Sequence, residues 1–155
     1  MPNMTTVEIK AFVPSKDFGL SKQFYQDLGF DVAWSSDDLT YLRHGSSSFL
    51  LQNFYVAEHA GNFMMHMLVE DVEAWWSRVD VQGLPAKYGV KVEPPADRPW
   101  GIRDFVVVDP TGVLWRIGQN QAKAASKCVS ERASSADRCG GALAGDRGSI
   151  WAVPG

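Results

Sequence analysis

The sequence predicts an α+β fold built from two strand–helix–strand–strand–strand (βαβββ) modules, because the chain repeats itself. Residues 10–17 align with residues 64–71 at an offset of 54 (Lys10 over Met64, Asp17 over Asp71), and Gly29 and Gly83 keep that offset. Each copy is an apolar run that closes on an Asp and continues into a helix-like segment ending at its Gly. Farther on, residues 39–53 align with 103–117 at an offset of 64, with Tyr41 over Phe105, Leu50 over Leu114 and Gln52 over Arg116. A repeat of this kind sets the architecture before any single motif does.

Taken in order, residues 7–13 read as a buried first strand stopped by Pro14. Ser15 or Asp17 caps a helix whose apolar positions Leu20, Phe24 and Leu28 recur every four residues, and Gly29 supplies a left-handed terminus. Residues 30–34 form a short strand before the polar turn at 35–38. Strands at 39–43 and 49–55 flank a turn at 44–48. The second copy opens with a strand at 63–69. Asp71 then caps a helix that turns Val72, Trp75 or Trp76, and Val79 inward, up to Gly83. A longer connection carries residues 90–92 and a loop with Pro94, Pro95 and Pro99. A strand at 102–108 turns at Asp109-Pro110-Thr111-Gly112, where Pro second and Gly fourth suit a type I turn, into a last strand at 113–117. The domain is therefore expected at 1–121, with modules at about 5–56 and 63–121, followed by an Ala/Ser/Gly-rich tail at 122–155 in which Trp151 stands alone.

Bulk properties exclude several classes of function. At 45% hydrophobic and 12% aromatic the chain has enough apolar surface for a core. A net charge of −3 gives no basic footprint, so no nucleic-acid partner is expected. No apolar stretch reaches the roughly 18–20 residues that span a bilayer, and the N-terminus lacks a signal-peptide plan, so the expectation is a cytoplasmic protein without a membrane partner. Cys128 and Cys139 lie eleven positions apart in the tail. A reducing compartment argues against a disulfide between them, and the spacing is not that of a zinc pair.

Two sets of motifs carry a family resemblance. Pro14-Ser-Lys-Asp-Phe18 with Phe24-Tyr25 and Leu28-Gly29-Phe30, then Trp100-Gly-Ile-Arg-Asp-Phe105 with Asp109-Pro-Thr-Gly-Val-Leu-Trp-Arg116, resemble the glyoxalase/bleomycin-resistance/dioxygenase (vicinal oxygen chelate) superfamily. Within it they look most like the bleomycin-resistance proteins. The resemblance implies curled antiparallel sheets around a cavity. It also implies a homodimer with ligand crevices at the interface and, in some members, an exchanged N-terminal strand. Enzymatic members hold a divalent metal with His, Glu or Gln at four inward strand positions. Carried over, those positions hold Lys10, Gln52, Met64 and Arg116. Lys and Arg are permanent cations that repel a metal, and a thioether suits hard metals poorly. His66, two residues past Met64, is the one residue around which a shifted site is conceivable.

No metal or other cofactor is therefore expected, and no nucleophile–base constellation stands out. The expected function is non-catalytic sequestration of a planar or aromatic small molecule, a bleomycin-type antibiotic being the ligand the resemblance names. The alternative is a metal-dependent enzyme of the superfamily: a glyoxalase-type lyase, a thiol transferase or a ring-cleaving dioxygenase. Alternation puts Lys10, Phe12, Gln52, Phe54, Met64, His66, Leu114 and Arg116 on one side. The candidate ligand-binding residues are Trp100, which the resemblance places against flat ligand rings, together with Arg116, Lys10, Phe12, Gln52, Phe54, Met64, His66 and, as an opposite wall, Trp34. Lys10 and Arg116 either reach solvent, pair internally, or meet an anionic or carbonyl-bearing ligand.

Overall fold

Asp17, not Ser15, starts the first helix: its carboxylate accepts the Leu20 N–H at 3.0 Å. Ser15 instead ties the chain to the first sheet, its hydroxyl donating to the Gln52 carbonyl at 2.7 Å. In the computed structural model, which describes residues 1–121, twelve elements follow one another. They are β1 (Phe12–Pro14), α1 (Phe18–Leu28), β2 (Asp31–Ser35), β3 (Leu39–His44), β4 (Ser47–Gln52), α2 (Ala57–Ala60), β5 (Met64–Leu68), α3 (Val72–Val81), α4 (Leu84–Tyr88), β6 (Val92–Asp97), β7 (Ile102–Val108) and β8 (Leu114–Asn120). The expectations for the tail, including Cys128, Cys139 and Trp151, lie outside the described residues. Among the described residues, no helix is long and apolar enough to cross a membrane.

The repeat is realised strand for strand. One sheet runs β1-β4-β3-β2 and the other β5-β8-β7-β6. In each, the module's first strand lies parallel to its last while the remaining pairs are antiparallel, so both sheets are mixed and open. Alternation then sends Val13, Leu42, Phe49 and Leu51 of the first sheet, and Phe105, Val107, Trp115 and Ile117 of the second, into one shared core with Phe24, Tyr25 and Leu28 of α1 and Val72 and Val79 of α3. Among the described residues the helices cover one face of each sheet and leave the other uncovered.

A buried polar bridge fastens the two modules together. The Tyr25 hydroxyl donates to the Asp109 carboxylate at 2.5 Å and accepts from the Trp115 indole N–H at 2.9 Å. The other Asp109 oxygen accepts the backbone N–H groups of Thr111, Gly112 and Val113 at 2.8–2.9 Å, which shapes the predicted turn. Burial, with Asp109 beside it, pushes the Tyr25 hydroxyl well above its ordinary range and so keeps it a donor. Burial also raises the Asp109 carboxyl, outweighing the hydrogen bonds it accepts.

Several sequence expectations are corrected. The first strand is not residues 7–13. Only Phe12–Pro14 pairs with β4, while Val7 and Ile9 are 96% and 87% exposed, so their apolar character has no cover among the described residues. Leu20 faces outward; Ser21 and Tyr25 take the buried positions beside Phe24 and Leu28. Gly83 ends one helix but also begins another, α4, because its left-handed conformation redirects the chain and Pro85 suits a first helical turn. The Pro94–Pro95 segment is strand and not loop: β6 lies at the sheet edge, where a register shift between Glu93 and Ala96 accommodates residues that cannot donate to the ladder.

Candidate functional site

The uncovered faces carry most of the nominated residues. On the first sheet, register aligns Phe12 with Leu50 and Leu50 with Tyr41. It also aligns Leu39 with Gln52, and Tyr41 with Trp34. Leu39, Tyr41, Leu50 and Gln52 are half-buried, whereas Phe12 and Trp34 are more than half exposed. Lys10 reaches the same face. Its ammonium lies 4.8 Å from the centre of the Tyr41 ring and pairs with Glu8, whose carboxylate also accepts the Tyr41 hydroxyl at 3.3 Å. The hydrogen bond to Glu8 holds the Lys10 ammonium above its ordinary pKa.

On the second sheet, Met64 lies beside Leu114, and Arg116 lies between His66 and Val106. At the centre is an acid that sequence reading missed. Asp104 is 1% exposed, accepts the Arg98 Nε–H at 2.7 Å on one oxygen and donates nothing; its other oxygen accepts from an Arg116 Nη1–H at 3.0 Å. Arg116 thus pairs internally, yet its buried Nε has no hydrogen-bond partner among the described residues. Gly118 makes room for this arrangement: a Cβ there would stand 2.7 Å from the Ile102 side chain and 3.0 Å from the Asp104 Cβ. The signal for Asp104 was an acid within the alternating apolar run 102–108, flanked in sequence by cations.

Other nominations fall elsewhere. Phe54 is not on a strand face: β4 ends at Gln52, and Phe54 is 58% exposed in the segment after it. His66 is exposed and is not a core histidine, because β5 is an edge strand and the residue points away from the helices. Trp100 sits at the β6–β7 turn, which is closed by hydrogen bonds from Arg98 N–H to the Ile102 carbonyl (2.8 Å) and from Gly101 N–H to the Arg98 carbonyl (3.1 Å). It is 46% exposed, and among the described residues its ring meets no other aromatic ring. A cavity of about 240 Å³ opens between the edges of β4 and β5, lined by Ser48, Phe49, Met65, His66, Met67 and Trp115 among others.

The residues at the four carried-over metal positions do not fit a divalent ion. Lys10 and Arg116 are cations already engaged with Glu8 and Asp104, and Met64 offers only a thioether. Arg116 also stands in register with His66, so a site shifted to His66 would have a guanidinium beside it. Among the described residues no three His, Cys, Asp or Glu side chains converge as a metal site requires.

Comparison with known proteins agrees with this architecture. Residues 7–117 match the model of the Glyoxalase/Bleomycin resistance protein/Dioxygenase superfamily, and the chain belongs to that family. Among solved structures it is similar to a bleomycin-binding protein complexed with bleomycin (23% identity, 75% of this chain and 100% of that one, TM-score 0.62). It is also similar to the bleomycin-binding protein of Streptomyces verticillus complexed with copper(II)-bleomycin (19%, 77% and 100%, TM-score 0.60). A lactoylglutathione lyase from Agrobacterium tumefaciens shares the fold as well (17%, 76% and 96%, TM-score 0.57). A comparison with curated proteins finds no match. At these identities the structural likeness establishes the fold, and both binding proteins and an enzyme carry it.

Proposed function

We propose that the chain is a non-catalytic small-molecule binding protein that sequesters a planar or aromatic compound, in the manner of the bleomycin-resistance group, as a cytoplasmic homodimer. One observation carries the reading: the scaffold is intact while Lys10, Gln52, Met64 and Arg116 stand where enzymatic members place metal ligands. The uncovered faces, with apolar and aromatic residues around a few polar tips, have the make-up of a ligand wall. Trp100 is the half-exposed aromatic best placed to stack on a flat ring, with Trp34, Phe12, Tyr41 and Gln52 on the first sheet and Met64 and His66 on the second completing the crevice. Titrating the full chain with bleomycin-type and other aromatic antibiotics, following tryptophan fluorescence, tests this. No response across the panel overturns the antibiotic reading.

The pairing of chains is supported by the N-terminal segment. Continuing the β1 register backward would lay Ala11, Lys10 and Ile9 along Phe49, Ser48 and Ser47, the residues that line the β4–β5 cavity. Val7 and Ile9 stand in solvent instead, and an N-terminal strand donated by a second copy suits that slot by both its hydrogen-bonding edge and its apolar side chains. The shared fold with a lyase supports a second reading, a metal-dependent enzyme. Elemental analysis separates the two: a tightly held transition metal at one per chain overturns the binding-protein reading.

A further inference from the structure

We propose that Arg116 is an anion-recognition residue, braced by the buried Asp104 and by Arg98, and that the sequestered compound carries a carboxylate or comparable oxyanion beside its flat apolar body. This rests on the binding-protein reading above and names the chemistry that reading leaves open. Both Asp104 oxygens are already engaged, one by each arginine, at 2.7 and 3.0 Å. Two guanidiniums facing one carboxylate leave a surplus positive charge in a half-buried wall, where an uncompensated charge is costly. Guanidinium offers five N–H donors in a planar fork. Arg116 commits one Nη1–H to Asp104; its Nε is closed to solvent and has no partner among the described residues, so the remaining Nη donors are the ones an anion would meet.

The other charged groups on this face do not remove the surplus. His66, in register with Arg116, adds a donor and no acid. Glu93 shares the face through its register with Val106. It lies two strands from Arg116, about 10 Å by ordinary strand spacing, and no ion pair joins them among the described residues. Arg103 points to the opposite face and is held there by Glu73 and Asp97 at 2.7 and 3.0 Å. Met64, Leu114 and Val106 hold the neighbouring positions of this face; an apolar setting strengthens a charge-assisted hydrogen bond and gives an aromatic body something to rest on.

The test compares three probes of one shape, 2-naphthoate, 2-naphthamide and 2-naphthylmethylammonium, binding to the full chain by calorimetry. Naphthoate is expected to bind roughly tenfold or more tighter than the amide, the size of a hydrogen bond to a charged group, with the ammonium weakest. Arg116→Met should lower naphthoate affinity far more than amide affinity and so erase the preference for naphthoate, and Arg116→Lys should keep part of it. If Arg116→Met fails to fold, the wild-type comparison and the Lys variant still decide. Amide or ammonium binding as tight as naphthoate overturns the charge assignment alone, as does a preference that survives in a folded Arg116→Met. Failure of all three probes to bind overturns it together with the binding-protein reading.

Discussion

Trp100 and Tyr25 are aromatic residues with opposite exposure, and their substitutions should separate ligand binding from stability. Trp100 projects from a turn held by backbone hydrogen bonds and by the Arg98–Asp104 pair, none of which uses the indole, so Trp100→Ala should leave urea unfolding nearly unchanged. It should weaken binding of a flat ligand by about 1–3 kcal/mol, the usual worth of a stacking aromatic. A fall in stability of the same size would mark Trp100 as a loop anchor instead. Tyr25→Phe removes one oxygen but leaves the Trp115 N–H and one Asp109 oxygen buried without partners. It should cost about 1–3 kcal/mol or more in urea unfolding, following the desolvation of stranded polar groups. At this scale the sequence was legible where period-two alternation governs: Met64, His66, Leu114 and Arg116 do share a face. It was not legible where the outcome depends on three-dimensional charge balance. Arg116 was visible as an odd cation, but the acid that holds it, Asp104, lies on the neighbouring strand, and Phe54 failed because alternation says nothing about where a strand stops.

Helix α4 and the end of α1 are joined through Asp27, which accepts from Lys87 Nζ at 2.6 Å and from the Tyr88 hydroxyl at 2.5 Å, while Arg78 of α3 donates to the Asp27 carbonyl. Burial pushes the Asp27 carboxyl up, but the hydrogen bonds from Lys87 and Tyr88 outweigh it and hold the group below its ordinary value. A carboxyl depressed in the folded state contributes stability that is complete above its unfolded pKa of about 3.9 and is lost as pH falls through the lower folded value. Asp27→Asn should therefore lower stability at neutral pH and flatten the acid limb of a stability–pH profile; an unchanged limb would show that the cluster contributes nothing. On β8, Gly118→Ala forces a methyl against Ile102 and Asp104 and should cost about 1–3 kcal/mol, as overpacking does, read from thermal unfolding. The elements themselves were largely readable because both copies carry the same Asp start and Gly stop. The exceptions are physical. Apolar residues 7 and 9 resemble a core strand, yet nothing among the described residues covers them, and the Gly stop at 83 hides a new helix start.

For the whole molecule, the exposed N-terminal segment makes assembly testable. The full chain should sediment as a dimer at micromolar concentration, and removing residues 1–9 should shift it toward monomer while the core stays folded; a dimer unaffected by the truncation would assign the interface to another surface. The bridge among Tyr25, Asp109 and Trp115 has a consequence for the duplication itself. One repeat supplies the phenol and the other supplies the acid and the indole, while the positions that mirror them across the repeat are Val79, Gly45 and Leu51, none of which offers a side-chain hydrogen bond. The interlock therefore exists once and in one direction. Neither half is a replaceable copy of the other: the second repeat on its own would strand a carboxylate and an indole in its interior, and two first repeats placed together would have nothing to receive their phenols. What began as symmetry has become mutual dependence, so the pair should melt as one unit, its parts having lost the option of living apart.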